Sequence, residues 1–200
     1  MNPAPGLRER KKLKTRQRIE ATALKLFDAH GFDGTTVEAI ADAAEISPRT
    51  FFHYFGTKED VVLADYASRL ERIVDQLQQQ PASEPPWAAL RASFLVVAAD
   101  YDAERDSLIR RFSVIAATPS VYARSLQLQA GWEDAVAAAL AERMSCRSSE
   151  LQPRLLASCA LSVIRSSLQH WIFTGQESSL PSLVETGFDQ LAAGFEKLSK

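Results

Sequence analysis

Between Thr35 and Lys58 the chain reads TTVEAIADAAEISPRTFFHYFGTK, and it signals three helix starts in quick succession. Thr35 and Glu38 have the T-x-x-E spacing of a capping box, in which the two side chains satisfy orphan backbone N–H groups reciprocally. Ser47 is a favoured N-cap, and Pro48 follows at the first helical position, where its missing N–H costs nothing. Thr57 caps again, with Glu59 and Asp60 in the first turn, where negative charge suits the helix dipole. Val37, Ile40, Ala41 and Ala44 keep an apolar face at i, i+3, i+4 and i+7. Starts this close leave room only for short helices and tight turns. The pattern predicts a helix-turn-helix, a unit whose second helix usually enters the major groove of DNA.

The strongest charge run lies just before it. Residues 7–18, LRERKKLKTRQR, carry seven basic side chains against Glu9 alone, about +6, so the remainder is near −8 within a total of −2. Such a run in isolation is equally a solvated, frayed N-terminus. Beside a helix-turn-helix it is the electrostatic footprint of a phosphate-binding arm.

The rest of the chain reads as helix throughout. Expected helices cover about 10–29 (stopped by Gly31), 37–44, 48–54, one long helix from 57 to about 79 (ended by Pro81), then 87–101, 103–117, 120–143, about 150–173 and 181–198. No segment alternates with period two, so no sheet is expected. The fold class is therefore all-α with about nine helices. An N-terminal three-helix unit is joined by the long helix to a larger helical part, divided as 1–56 and 57–200. At 46% hydrophobic, a chain of 200 residues can bury a sizeable core. Cys146 and Cys159 have no metal or redox spacing and suit a reducing compartment. No apolar run reaches the roughly 18 residues of a membrane span, and no signal region follows the basic start. A cytoplasmic protein without membrane contact is expected.

Residues Leu26-Phe27, Gly31-Phe32, Thr35-Thr36-Val37, Ile40-Ala41, Ala44, Ile46-Ser47 and Thr50-Phe51-Phe52-His53-Tyr54-Phe55 with Lys58-Glu59 carry a resemblance to the TetR family of bacterial transcriptional regulators. It covers roughly residues 10–65. Arg110-Arg111-Phe112, Thr118-Pro119, Ala123-Arg124 and Trp132 look like a narrower branch, similar to mycofactocin regulators with an acyl-CoA-like ligand-binding C-terminal domain. The resemblance implies a homodimer, a palindromic double-stranded operator, and release from DNA when a small effector binds. Repression is the implied mode.

Within the second helix of the motif, Arg49 is the candidate for base readout, able to bond guanine O6 and N7 bidentately; a phosphate contact is the alternative. Ser47 and Pro48 open the same helix and belong to the DNA-facing set. Thr36, Thr50, Tyr54 and Lys58 match family positions that hold phosphates, and Lys14 represents the arm. Phe52 stands where the family often has Tyr; it cannot donate to a phosphate but can pack on a thymine methyl. His53 faces DNA or solvent. Phe51 and Phe55 suit core anchors.

An effector pocket is expected among the helices over 87–173. Phe94, Val97 and Tyr101 share one stripe; Leu108, Phe112 and Ile115 another; Trp132 and Leu168 come from the next two helices. Such stripes are more often core than pocket lining. If the acyl-CoA resemblance holds, Arg91, Arg110, Arg111 and Arg124 are candidate partners for an anionic head. The helices over about 150–173 and 181–198 are expected to form the dimer contact as a four-helix bundle, with small residues such as Ala157, Ala160 and Ser167 allowing close approach.

An enzyme is not expected. His30, His53 and His170 lack metal-ligand spacing, and no G-x-S-x-G, P-loop or G-x-G-x-x-G motif occurs, so no cofactor or metal is expected either. The rival class is a helical ligand-binding or adaptor protein without sequence-specific DNA binding.

Overall fold

The computed structural model describes residues 6–173 and 178–194. Every regular element among them is helical: α1 (Leu7–His30), α2 (Val37–Ala43), α3 (Pro48–Tyr54), α4 (Lys58–Val62), α5 (Tyr66–Gln79), α6 (Pro86–Ala103), α7 (Arg105–Ala117), α8 (Pro119–Met144), α9 (Leu151–Phe173) and α10 (Leu180–Ala193). No helix among the described residues is long and apolar enough to cross a membrane. The last part of the helix expected over 181–198, from residue 195, lies outside the described residues.

Two compact units form. One holds the described residues up to Ala64 together with Arg110–Ser125; the other holds Asp65–Ile109 and the described residues from Leu126 onward. The first unit therefore takes α1 to α4, the later part of α7 and the opening of α8.

The first unit is built on a small aromatic core. Ile19, Ala23 and Phe27 of α1, Ile40 and Ala41 of α2, and Phe51 of α3 are buried, with Phe32 and Phe55 closing the ends. Phe27 packs on Phe32 at 5.0 Å between centroids, and Phe51 on Phe55 at 5.9 Å. Each such side chain contributes about 1.5–3 kcal/mol relative to exposure. Helix α1 stops at Gly31, whose φ of 74° suits a residue without Cβ, and whose N–H donates to the Phe27 carbonyl at 2.9 Å.

The cap of α2 falls one residue later than the sequence suggests. Thr36, not Thr35, accepts from the Ala39 N–H, at 3.1 Å. Thr35 is buried, and its hydroxyl donates to the carbonyls of Gly31 (2.8 Å) and Leu26 (3.3 Å) at the end of α1. That tertiary use removes it from capping, and with it the box to Glu38. Ser47 and Thr57 do cap, accepting from Thr50 N–H and Asp60 N–H at 3.1 and 3.2 Å, and Pro48 sits in the first turn of α3.

Between α2 and α3 the chain turns through Glu45, at φ 53°. Ile46 N–H donates to Ala41 C=O (2.9 Å) and Glu45 N–H to Asp42 C=O (3.0 Å), the bond pair of a Schellman ending. Ser145 closes α8 in the same way, with Cys146 N–H on Ala141 C=O.

The long helix expected over 57–79 is two helices, α4 and α5, separated by a turn over 63–65. A helix end leaves carbonyls without intrahelical partners. Here arginines take them: Arg111 donates to Val61 and Val62, and Arg16 donates to Ala64 at 3.0 Å. Side chains distant in sequence thus stabilise a break that the local sequence does not specify. The split also raises the expected nine helices to ten among the described residues.

In the second unit α6 packs against α5, α9 and α10, and α9 against α10. Ile73, Leu90, Phe94, Val97, Ala157, Ala160, Trp171, Val184 and Phe188 form the core. Phe188 touches Trp87 at 4.7 Å and Phe94 at 5.8 Å. The helices α9 and α10 approach closely where a Cβ on Gly187 would meet Val163 at 2.7 Å. Ala157, Ala160 and Ser167 of α9 are buried within the single chain. Arg143 of α8 donates to the carbonyls of Gln80, Pro81 and Glu84, tying down the turn after α5.

Candidate nucleic-acid interface

Helix α3 divides its residues cleanly. Phe51 is fully buried and Thr50 and Tyr54 are half-buried, while Ser47, Pro48, Arg49, Phe52 and His53 are exposed. Arg49, Phe52 and His53 are spaced i, i+3 and i+4, so they share one face. This face is the most exposed part of the helix, flanked by the exposed Ser47 and Pro48 and the half-buried Thr50 and Tyr54. Its start is rigid: Ser47 Oγ accepts from the Thr50 N–H and also lies 2.9 Å from Thr50 Oγ1. His53 lies edge-on to Tyr54, with ring centroids 5.4 Å apart.

In the same unit, the exposed Thr36 caps α2 and Lys14 is exposed on α1. The basic run of residues 7–18 is the opening half of α1, with Arg8, Arg10, Lys11, Lys12, Lys14, Arg16 and Arg18 all exposed. Like charges at i, i+3 and i+4 on one helix repel each other, which neutralisation by phosphate relieves. Lys58 has a structural task in addition to its charge. Its ammonium donates to the carbonyls of Phe32 (2.8 Å) and Thr35 (3.2 Å) and lies 4.3 Å from the Phe32 ring centroid.

The effector candidates divide between the two units. Phe94, Val97, Tyr101 and Leu168 are buried in the second unit, where half-buried Trp132 packs on Tyr66 at 5.5 Å. Arg110, Arg111, Phe112 and Ile115 belong to the first unit. Arg111 is buried there and bonded to Glu20 as well as to the two carbonyls of α4. A guanidinium so engaged serves as a structural clamp within the unit. Arg91 pairs with Glu185 and Asp189, and Arg124 lies 3.7 Å from Asp60, so those charges are also matched inside the chain. Arg110 is exposed.

Two features of the second unit escaped the sequence. Arg69 bonds Asp65 and Glu104 and stacks 4.0 Å from the Tyr101 ring centroid. Burial holds the Tyr101 phenol well above its ordinary range; the neighbouring Arg69 opposes this, and Asp65, Tyr66 and Glu104 reinforce it. Trp171 is fully buried under the Arg105 guanidinium, 4.5 Å from its ring, with no partner for its indole N–H among the described residues. The i, i+4 spacing of Asp65 and Arg69 is the one local signal; Glu104, Tyr101 and the Arg105–Trp171 pair are matched across distant segments.

Comparison with known proteins agrees at both ends of the chain. Residues 19–64 match the bacterial regulatory proteins of the tetR family, and residues 84–196 match the MftR C-terminal domain. The Mycobacterium tuberculosis protein MftR, named for regulating mycofactocin biosynthesis, is 30% identical over 191 residues, covering 96% of each chain. The transcriptional regulator TcmR of Streptomyces glaucescens is 30% identical over 199 residues, covering 96% of this chain and 84% of TcmR. Among solved structures, Thermus thermophilus FadR, a TetR family repressor in complex with lauroyl-CoA, superposes with a TM-score of 0.59 at 25% identity, over 88% of this chain and 93% of FadR. The fatty acid degradation regulator FadR of Bacillus halodurans gives a TM-score of 0.65 at 19% identity, covering 91% and 96%, which speaks for the fold alone. A recognition helix with an exposed polar-aromatic face, matched families in both halves and a near full-length alignment lead to one conclusion: the chain belongs to the TetR family of bacterial transcriptional regulators and carries an MftR-type C-terminal domain.

Proposed function

We propose that this regulator is a homodimeric repressor that holds a palindromic duplex operator and is released by a small hydrophobic effector of the acyl-CoA class. The observation that carries the DNA half is the exposed face of Arg49, Phe52 and His53 in the same unit as the exposed basic run of α1. Arg49 reads a base, with Ser47, Pro48 and His53 on the same DNA-facing surface. Thr36, Thr50, Tyr54, Lys58 and the arm residue Lys14 engage phosphates, which fix register without reading sequence. DNA binding resides in residues 1–56. Ligand binding and dimerisation reside in 57–200, although 57–64 and 110–125 pack with the DNA-reading unit.

The dimer runs through α9 and α10. Leu151 and Leu155 at the start of α9 and Phe173 at its end are 79%, 55% and 61% exposed, apolar side chains that a second copy would cover. The acyl-CoA class is supported by the lauroyl-CoA complex of the 25% identical FadR and by the matched C-terminal family. The effector acts through α7, which contributes residues to both units, and changes the spacing of the paired recognition helices from the roughly 34–36 Å that one DNA turn requires. The protein works by binding rather than catalysis, in the cytoplasm.

The test is binding of the full chain to the duplex upstream of its own gene, with and without lauroyl-CoA. Sequence-selective, salt-dependent binding that lauroyl-CoA reverses is expected. Absence of any selective shift would remove the repressor reading; selective binding indifferent to lauroyl-CoA and other acyl-CoAs would remove only the effector class.

A further inference from the structure

We propose that Phe52 is a second specificity determinant of α3: its ring takes a thymine 5-methyl group in the major groove, next to the base addressed by Arg49. The inference rests on the DNA-binding reading above and deepens it.

Phe52 is 55% exposed on a helix of seven residues, in a small unit that buries Phe27, Phe32, Phe51 and Phe55. Its ring meets the buried Phe51 edge to face, 5.5 Å between centroids at 87°. A core aromatic therefore backs the exposed one, and little conformational freedom remains to be lost on binding. Phenylalanine has neither donor nor acceptor, so it cannot hold a phosphate and gains nothing from the polar edges of guanine, cytosine or adenine. Among the base edges in the major groove, the thymine methyl is the one apolar group. Insertion between base steps is a minor-groove device and does not suit a helix lying in the major groove.

The surroundings select the occupant. Arg49 is three residues away on the same face, and the Ser47 and Thr50 hydroxyls bracket the helix start. This is a setting for a polyanion, not for an apolar protein surface. Three residues of helix rise about 4.5 Å, little more than the roughly 3.4 Å between base pairs. Arg49 and Phe52 thus address neighbouring base pairs, and the half-site contains a guanine and a thymine side by side or on opposite strands of adjacent pairs.

The experiment starts from a random-sequence duplex pool selected with the full-length protein. Each thymine of the enriched sequence is then replaced by deoxyuridine, which removes only the methyl group. One thymine per half-site should lose about fourfold in affinity on that replacement, the discrimination one buried methyl supports. The loss should vanish in Phe52→Ala, persist in Phe52→Leu, and persist in Arg49→Ala, which instead relaxes the preference at the guanine. Unchanged thermal unfolding checks that the exposed substitutions leave the fold intact. An enriched sequence indifferent to every deoxyuridine, or a loss unchanged in Phe52→Ala, overturns the assignment while leaving DNA binding in place. A pool with no enriched sequence overturns both.

Discussion

Arg111 and Glu20 form an ion pair across 91 residues of sequence, with the guanidinium side chain 4% exposed and the carboxylate side chain 22%. The same guanidinium donates to the Val61 and Val62 carbonyls. One side chain of α7 thereby joins α1 to the end of α4 inside the DNA-reading unit. The arrangement meets two needs together: it pairs a charge that has left water, and it satisfies carbonyls released where α4 stops.

Removing the clamp should destabilise that unit. Deleting one partner of a buried pair costs about 3–5 kcal/mol, and the residual exposure of Glu20 moves the expectation for Arg111→Ala to about 2–3 kcal/mol. Glu20→Gln keeps an acceptor for the guanidinium and leaves the carbonyl bonds intact, so about 1 kcal/mol is expected. Thermal or urea unfolding of the two variants measures the difference. Equal costs would mean that the ion pair, not the carbonyl bonds, carries the stabilisation.

Glu45 should prove replaceable with a gain. A side chain at positive φ costs about 1–2 kcal/mol, and the extra unfolded-state freedom of glycine takes back about 0.5–1 kcal/mol. Glu45→Gly is therefore expected to stabilise by about 0.5–1 kcal/mol, or a few degrees in melting temperature. Ser145→Gly tests the same geometry at the end of α8 without a charge change. A fall in melting temperature in both would show that neither turn is under backbone strain.

These two sites also mark how far the sequence could be read. The caps at Ser47 and Thr57 are local, decided within four residues, and they are where the pattern put them. Thr35 and Thr36 are chemically alike and adjacent. Which one caps α2 is decided by the Leu26 and Gly31 carbonyls across the α1–α2 turn, and local pattern cannot see that. The break over 63–65 is less legible still: residues 57–79 carry no glycine or proline, and the partners that hold the break are Arg16 and Arg111. The exposed face of α3 was legible because a short amphipathic helix has one buried side. The roles of the arginines were not, because they are distinguishable only by their partners: Glu20 for Arg111, Glu185 and Asp189 for Arg91.

On DNA, base and phosphate contacts should separate by salt. Lys14→Ala is expected to weaken all duplexes alike and to lower the slope of log affinity against log salt by about 1. Arg49→Ala should cost about 1–3 kcal/mol on the selected operator and relax preference at one base pair, with much less change on unrelated duplex. Fluorescence anisotropy over a range of salt concentrations distinguishes them. Uniform weakening by Arg49→Ala would reassign that side chain to the phosphate backbone.

Tyr101 supplies a pH-dependent test of the second unit. Its burial raises the phenol above the ordinary value of about 10, and the stacked Arg69 only partly offsets this. The sign follows from linkage. Below pH 10 the phenol is neutral in both folded and unfolded chains, so its contribution to stability is fully present. Above pH 10 the unfolded chain loses the proton first, and stability is lost progressively as pH rises toward the folded-state value. The loss approaches about 1.4 kcal/mol per pH unit from this one group. Tyr101→Phe should therefore show a shallower alkaline decline in stability between pH 10 and 11 than the parent, whatever its cost at neutral pH. Ultraviolet titration gives a second readout: of the four tyrosines, one should ionise only as the chain unfolds, and that late step should be absent from Tyr101→Phe. Identical alkaline slopes, with all phenols of the parent ionising together near pH 10, would show that water reaches the Tyr101 hydroxyl beneath Arg69.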